Sequence, residues 1–255
     1  DGGGLLRERP FRSPHHSVSL PALLGGGSAF LRPGEVSLAH HGVLFLDELM
    51  EFRRDAVEGL RQPLEDGRVV VSRMAGSVEF PARFTLVAAA NPCPCGFFGD
   101  PRRRCDCPEQ RLQTYRQKLS GPLLDRIDIQ LAVPRLTKQE LLDEDPSEPS
   151  SAIRERVERA RSVQRRRYAA IGYPSNAQLP GPLARRIARV SRPAWDQLAQ
   201  AVDGMALTGR GFDRALKVAR TIADLDGAEE VARDHVSEAL AYRMNLVAED
   251  LARVG

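Results

Sequence analysis

The sequence predicts an α/β core built on a parallel sheet with a β-hairpin insert, followed by an all-helical region. Two observations carry this. Val43–Leu46 and Leu86–Ala90 are short continuous apolar runs, too apolar for a sheet with one wet face and typical of strands covered on both sides. From Ala152 onward no alternating stretch occurs, and apolar residues recur at helical spacing instead.

Taken in order, Asp1–Gly4, Pro10–His16 and Gly25–Gly27 show no sustained period and are expected as loops. Val43–Leu46 is a strand ending in Asp47-Glu48. Leu49, Phe52, Ala56 and Leu60 then predict helix through Leu64. Turns at Asp66-Gly67 and Ala75-Gly76 bracket Val69–Ser72 and lead to Ser77–Phe80, a hairpin pattern. Pro81 interrupts before the strand Phe84–Ala90, and Ile127–Val133 is a further apolar strand. Residues 137–151, with Pro146, Pro149 and an acidic run, are expected as a linker. Helices are predicted over 152–171, 180–189, 191–202, 210–226 and 231–251. Pro182 and Pro193 stand where helix starts tolerate proline, and Gly227 where a helix stops. The expected domains are an α/β core over 1–136, the linker 137–151 and a helical domain over 152–255.

Composition excludes two classes. The chain is 42% hydrophobic and 28% charged, too apolar for disorder and too charged for a membrane protein. No apolar run approaches the ~20 residues of a spanning helix. Nothing at the start resembles a signal peptide, so the cytoplasm is the expected location. The formal charge of +3 does not by itself argue for nucleic acid. Arg154–Arg167 nonetheless holds seven arginines against Glu155 and Glu158, a pattern that suits a solvated helix face or a binding stripe.

The chemistry-bearing residues begin at the end of the first strand. Open α/β sheets bind ligands beyond the C-terminal ends of their strands, and Asp47 and Glu48 supply two adjacent acids there. One carboxylate can hold Mg²⁺ and the other orient an attacking water; equally, the pair can be a strand running into an acidic helix start. Asn91-Pro92 ends the neighbouring strand, either as turn chemistry or as an amide facing a phosphate. Arg126 precedes Ile127–Val133, as a surface arginine paired with Asp125 or Asp128 or as a phosphate contact for a neighbouring subunit. All four cysteines fall within Cys93-x-Cys95 and Cys105-x-Cys107. In a reducing compartment they suit a structural Zn²⁺ with four thiolates, although C-x-C is tighter than the common C-x₂-C, or four reduced thiols in a mobile insert. His15-His16 and His40-His41 match no metal-ligand spacing, and adjacent histidines point apart in an extended chain.

Acids, asparagine and arginine in this order resemble the AAA+ ATPases of the magnesium-chelatase-like group, and within it the ComM-type branch. The similarity extends to Arg9–His16, Arg32–His40, Leu60–Gly67, Asn91–Gly96, Ser120–Asp128 and Ala219–Leu225. It implies that Asp47 and Glu48 are the Walker B acids, with Asp47 on Mg²⁺. Asn91 is then sensor 1, Arg126 the arginine finger, and Arg210 the sensor 2 arginine of a helical lid, with Arg214 one turn later as the second candidate. ATP would lie between subunits of a homo-oligomeric ring, a hexamer in the family. The three lysines, Lys118, Lys138 and Lys217, each follow a residue other than glycine, so no Gly-x-x-x-x-Gly-Lys-Ser/Thr phosphate loop occurs. In the family that loop lies upstream, as does a Lon-protease-like domain. The expectation is therefore a C-terminal fragment lacking the first strand and phosphate loop, inactive alone; loss of the loop through degeneration is the alternative.

The resemblance also places Val18–Phe30 in an insert and Arg73 near a hairpin tip, both facing a central pore. Arg12, Arg32 and Arg73 become candidate DNA phosphate contacts, against the plain alternative of a solvated hairpin. The implied function is an ATP-dependent DNA motor, helicase-like in branch migration during DNA recombination and natural transformation. The rivals are a magnesium-chelatase ATPase subunit and a non-catalytic remnant.

Overall fold

The computed structural model describes residues 8–27, 30–73, 76–142 and 147–243. The chain divides into two compact units, Asp1–Arg126 and Ile127–Gly255. The first contains β1 (Phe11–Arg12), α1 (Leu20–Leu24), β2 (Gly25–Gly26), β3 (Arg32–Pro33), α2 (Glu35–Leu38) and β4 (Val43–Leu46). A 3₁₀ turn (Leu49–Glu51) follows, then α3 (Arg54–Gly59), α4 (Arg61–Asp66), β5 (Arg68–Arg73), β6 (Gly76–Pro81), β7 (Thr85–Ala88), α5 (Glu109–Arg116) and α6 (Gly121–Leu124).

The sheet runs β1-β4-β7, parallel throughout, with Val43 opposite Phe11 and Thr85. The parallel sheet, the antiparallel hairpins and the helical second unit match the fold class expected: a partial AAA+ α/β core with a helical lid. Leu44 and Leu46 of β4 are fully buried and pack with Leu23, Phe52, Val57 and Leu60. Gly42 precedes β4 where the chain entering β1 comes too close for a side chain, since a Cβ there would lie 1.8 Å from the Pro10 carbonyl oxygen. Ser19 caps α1 and Ser120 caps α6, each hydroxyl accepting a backbone N–H at 3.3 Å. The β5–β6 hairpin pairs Arg68 with Pro81 through Arg73 with Gly76. Ala75 of the expected turn lies outside the described residues, as does the side chain of Arg73.

Two expectations change. The single helix predicted over 49–64 is a 3₁₀ turn and two short helices. Phe52 and Arg53 are extended (ψ 151° and 138°), and Pro63, which lacks an N–H, sits in the first turn of α4, where a helix tolerates it. The predicted strand 127–133 forms no ladder among the described residues, and Ile129, Leu131 and Val133 are 48%, 64% and 89% exposed. Its alternation suits a strand, but a strand exists only with a neighbour to bond, and here Gln130 alone donates to Tyr242 O (2.8 Å).

The second unit contains α7 (Lys138–Leu142), α8 (Ser150–Tyr168), α9 (Gly181–Ile187), α10 (Arg192–Gly204), α11 (Gly209–Leu225) and α12 (Arg233–Ala241). Residues beyond 243 of the helix predicted to 251 lie outside the described residues. Small side chains let the helices approach closely: Ala184, Ala188, Ala194, Ala215, Ala219, Ala223 and Ala239 are buried in this core. At its centre the Asp224 side chain is 0% exposed and that of Arg220 2%. The Asp224 carboxylate accepts from Arg220, from both ends of the Arg167 guanidinium and from Asn176 Nδ2, at 2.5–3.1 Å. Arg220 spends its remaining donors on the carbonyls of Ala188, Ala228 and Glu229.

Candidate functional site

β4 delivers Asp47 and Glu48 to solvent at its C-terminal end. Asp47 Oδ1 accepts the Glu48 N–H at 2.9 Å. Glu48 itself is left-handed, φ 51° and ψ 47°, a conformation that costs an L-residue about 1–2 kcal/mol. Its neighbours hold it there: Leu49 N–H donates to Ala89 O (2.8 Å), and Ala89 N–H to Leu46 O (3.0 Å). The same bonds tie the acidic turn to the exit of β7, where Asn91 is exposed two residues further on. Sheet order thus brings together two carboxylates and an amide, hard oxygen donors suited to Mg²⁺ and polar groups suited to a bound phosphate.

His16 joins them, with Nδ1 3.4 Å from Glu48 Oε2 and its ring edge-on to Phe52. Neither histidine pair points apart as expected. The His15 and His16 ring centroids are 4.0 Å apart and those of His40 and His41 3.9 Å, because the chain turns at His16-Ser17 and His41 is left-handed (φ 60°).

The arginines stand differently. Arg126 turns back on its own unit: Nε pairs with Glu65 at 3.1 Å as an ion pair rather than an aligned hydrogen bond, and NH1 donates to Pro122 O at 2.6 Å. Arg12 is engaged by both oxygens of Glu35, at 2.6 and 2.8 Å, and that pairing raises its already high pKa. Arg32 is exposed on β3. In the second unit, Arg210 and Arg214 lie one turn apart in the first half of α11, and Arg214 donates to Asp128 at 2.6 Å.

The four cysteines converge. They are free, and their sulfurs all lie within 4.8 Å of one another. Three of the separations are 3.3, 3.5 and 3.7 Å. The Phe97 N–H draws the Cys95 thiol down to about 6, while burial pushes Cys105 up to about 12. This is a cluster able to bind a metal ion. Between it and the acids stands buried Tyr115, its hydroxyl pushed up to about 12 by burial and then by the charges of Glu51, Cys93, Glu48 and Cys107. Lys118 Nζ donates to Met50 O at 2.5 Å in the turn after Glu48. Sequence reasoning gave none of His16, Glu65, Tyr115 and Lys118 a role here: His16 and Glu65 fall inside segments that carry the resemblance, Lys118 is one of three lysines, and Tyr115 has no signal.

The family model described as magnesium chelatase, subunit ChlI, matches residues 1–141, and that of its C-terminal part matches residues 147–243. The chain belongs to the magnesium chelatase ChlI family. Within it the similarity is to the ComM-type branch. Competence protein ComM of Haemophilus influenzae is 44% identical over 93% of this chain and 45% of its own length. The Escherichia coli protein YifB is 45% identical over 93% of this chain and 46% of its own. The magnesium-chelatase 38 kDa subunit of Rhodobacter capsulatus is 26% identical, over 89% and 59% respectively. The chain therefore spans about half the length of the ComM and YifB relatives it matches. Membership makes it AAA+ ATPase-like, of a family that uses ATP and Mg²⁺ and often forms rings. Among the described residues no helix is long and apolar enough to cross a membrane.

Proposed function

We propose that this chain is part of a cytoplasmic, ATP-dependent AAA+ motor that works as a homo-oligomeric ring, a hexamer, on branched or single-stranded DNA. Its role would be helicase-like branch migration in DNA recombination and natural transformation. The carrying observation is the exposed acid pair at the end of β4, with strained Glu48 beside His16 and Asn91 on the adjoining strand. In this reading Asp47 holds Mg²⁺, which would offset phosphate charge when bound with ATP. Glu48 accepts a hydrogen bond from the attacking water and aligns it. His16 limits the rotamers open to Glu48, and Asn91 faces the terminal phosphate. Arg126 leaves Glu65 to reach the neighbouring subunit's phosphate, and Arg210, or Arg214, senses the nucleotide from the lid. Arg12, Arg32 and Arg73 are the proposed DNA phosphate contacts, Arg12 after parting from Glu35. The cysteine cluster holds one structural Zn²⁺.

Greater identity to the competence protein than to the chelatase subunit, 44% against 26%, is the reason for putting the competence-linked reading first, and the DNA substrate is part of that proposal. The chelatase reading stands second because that subunit still aligns with 89% of the chain. Protein expressed from the complete reading frame that encodes the chain separates them. A DNA motor shows ATP hydrolysis stimulated by DNA and DNA binding that weakens steeply with salt. Glu48→Gln should retain nucleotide binding and lose about 10²-fold or more in turnover. Indifference to branched, single-stranded and duplex DNA at low and moderate salt sinks the DNA reading, and full turnover in Glu48→Gln sinks the role of the acids.

A further inference from the structure

We propose that Zn²⁺ in the four-cysteine cluster acts as a positioning element for the acid site: its binding fixes both the turn that follows Asp47-Glu48 and the strand exit that carries Asn91. The significance of those three residues rests on the AAA+ reading; the metal and its mechanical coupling do not.

The fit to zinc is geometric. Four thiolates at about 2.3 Å from a tetrahedral Zn²⁺ stand about 3.8 Å from one another. The sulfurs here already stand 3.3–3.7 Å apart in three pairs, close to that edge length and well beyond the ~2.05 Å of a disulfide. Four protein ligands leave no open position, so the ion's work is to hold chain. The loop needs holding. Residues 92–108 contain no helix or strand, and the bonds within the loop are short-range: Phe98 N–H to Cys93 Sγ, Gly96 N–H to Cys93 O, Asp100 N–H to Phe97 O, and Asp100 accepting from the N–H groups of Arg102 and Arg103.

What the loop joins gives the ion its consequence. Cys93 is fully buried two residues after Asn91, and Cys107 stands two residues before α5. The Phe98 ring lies 4.3 Å from the Arg116 guanidinium of α5. Beyond α5, Lys118 bonds Met50 O, and Leu49 in the same turn bonds Ala89 O on the way back to Asn91. The contacts form a closed circuit: β7 exit, cysteine cluster, α5, Lys118, acidic turn, β7 exit. Removing the ion opens the circuit at the cysteine loop, and the Lys118 and Leu49 bonds are then left to hold the acidic turn.

The test uses the 255-residue chain under reducing conditions. Elemental analysis should find about one Zn²⁺ per chain, and Co²⁺ in its place should give the absorption of a tetrahedral thiolate site. Amide hydrogen exchange is then compared with zinc bound and with zinc removed by a chelator. The Leu49, Glu51, Phe52 and Ala89 amides should exchange about tenfold faster without the ion, while the β5–β6 ladder keeps its protection. Lys118→Met should bind zinc normally yet lose the zinc-dependent change at Leu49, Glu51 and Phe52. No bound zinc and no cobalt spectrum overturns the metal and the proposal together. Zinc bound with unchanged amides in the acidic turn overturns the positioning and leaves the metal. Collapse of hairpin protection along with the turn, or a Lys118→Met response equal to that of the parent, overturns the circuit. None of these readings depends on ATP turnover, so failure of the AAA+ assignment would show separately in the Glu48→Gln assay.

Discussion

Glu48→Gly should relieve backbone strain in the first unit while removing the carboxylate proposed to orient the attacking water. Glu48 sits at φ 51°, which costs an L-residue about 1–2 kcal/mol relative to the right-handed region. Glycine enters that region freely, but its unfolded chain is more flexible by about 0.5–1 kcal/mol. For the backbone alone the expectation is a gain of about 0.5–1 kcal/mol for Glu48→Gly. Glu48→Ala is the control, since it deletes the same carboxylate and keeps the strain. Both variants lose the contact with His16 at 3.4 Å, which at such exposure contributes under about 1 kcal/mol. Both keep the N–H to Asp47 bond. The difference between them therefore isolates the backbone, and glycine should exceed alanine by about 0.5–1 kcal/mol. Native-state hydrogen exchange at the β4 amides reads the opening free energy of the first unit. Trp195, the chain's one tryptophan, lies in the second unit and should report no change. If glycine is no more stable than alanine, the strain is not there and the account of Glu48 as a residue held against its preference fails. If it holds, the protein retains a backbone cost at the position where the proposed mechanism places a carboxylate, as strain kept for function would require.

Asp224→Asn should cost the second unit about 3 kcal/mol, because it leaves the buried guanidinium groups of Arg220 and Arg167 without their counter-charge; urea unfolding followed by Trp195 fluorescence measures it, and a loss below about 1 kcal/mol would contradict the buried-charge argument. The first unit should lose stability on acidification below pH ~6.5. Burial, then the charges of His41 and Arg83, lower the His40 pKa, and its Nδ1 accepts the Arg83 N–H at 3.0 Å, so the folded form binds its proton later than the unfolded chain. The contribution is fully present above 6.5 and fades as pH falls through the folded value. Hydrogen exchange at β4 across pH should show a loss in the parent that His40→Gln lacks, and equal slopes would refute the assignment.

What was legible in the sequence was what the chain encodes locally. Four apolar residues running into two acids announce a strand and its exit whatever lies beside it, and four cysteines in one short stretch can hardly avoid one another. What was not legible depends on partners far along the chain. Glutamate has no preference for the left-handed region; Glu48 occupies it because Leu49 must reach Ala89, on a strand that enters the sheet only after the hairpin. The alternation over 127–133 is that of a strand, yet pattern alone supplies no neighbour. Arg12 and Arg126 illustrate the same limit at the site. Both are the residue type that meets phosphate, and sequence offers no sign that Glu35 and Glu65 hold them first. These pairings reframe what a phosphate must do. To recruit either arginine it has to outcompete a carboxylate already in place, so binding of a polyanion to this unit exchanges one charge partner for another. Much of its apparent affinity is then set by Glu35 and Glu65, residues that never touch the ligand. Removing Glu35 or Glu65 should therefore strengthen polyanion binding by more than removing an exposed carboxylate that pairs with neither arginine, while removing the arginines should weaken it.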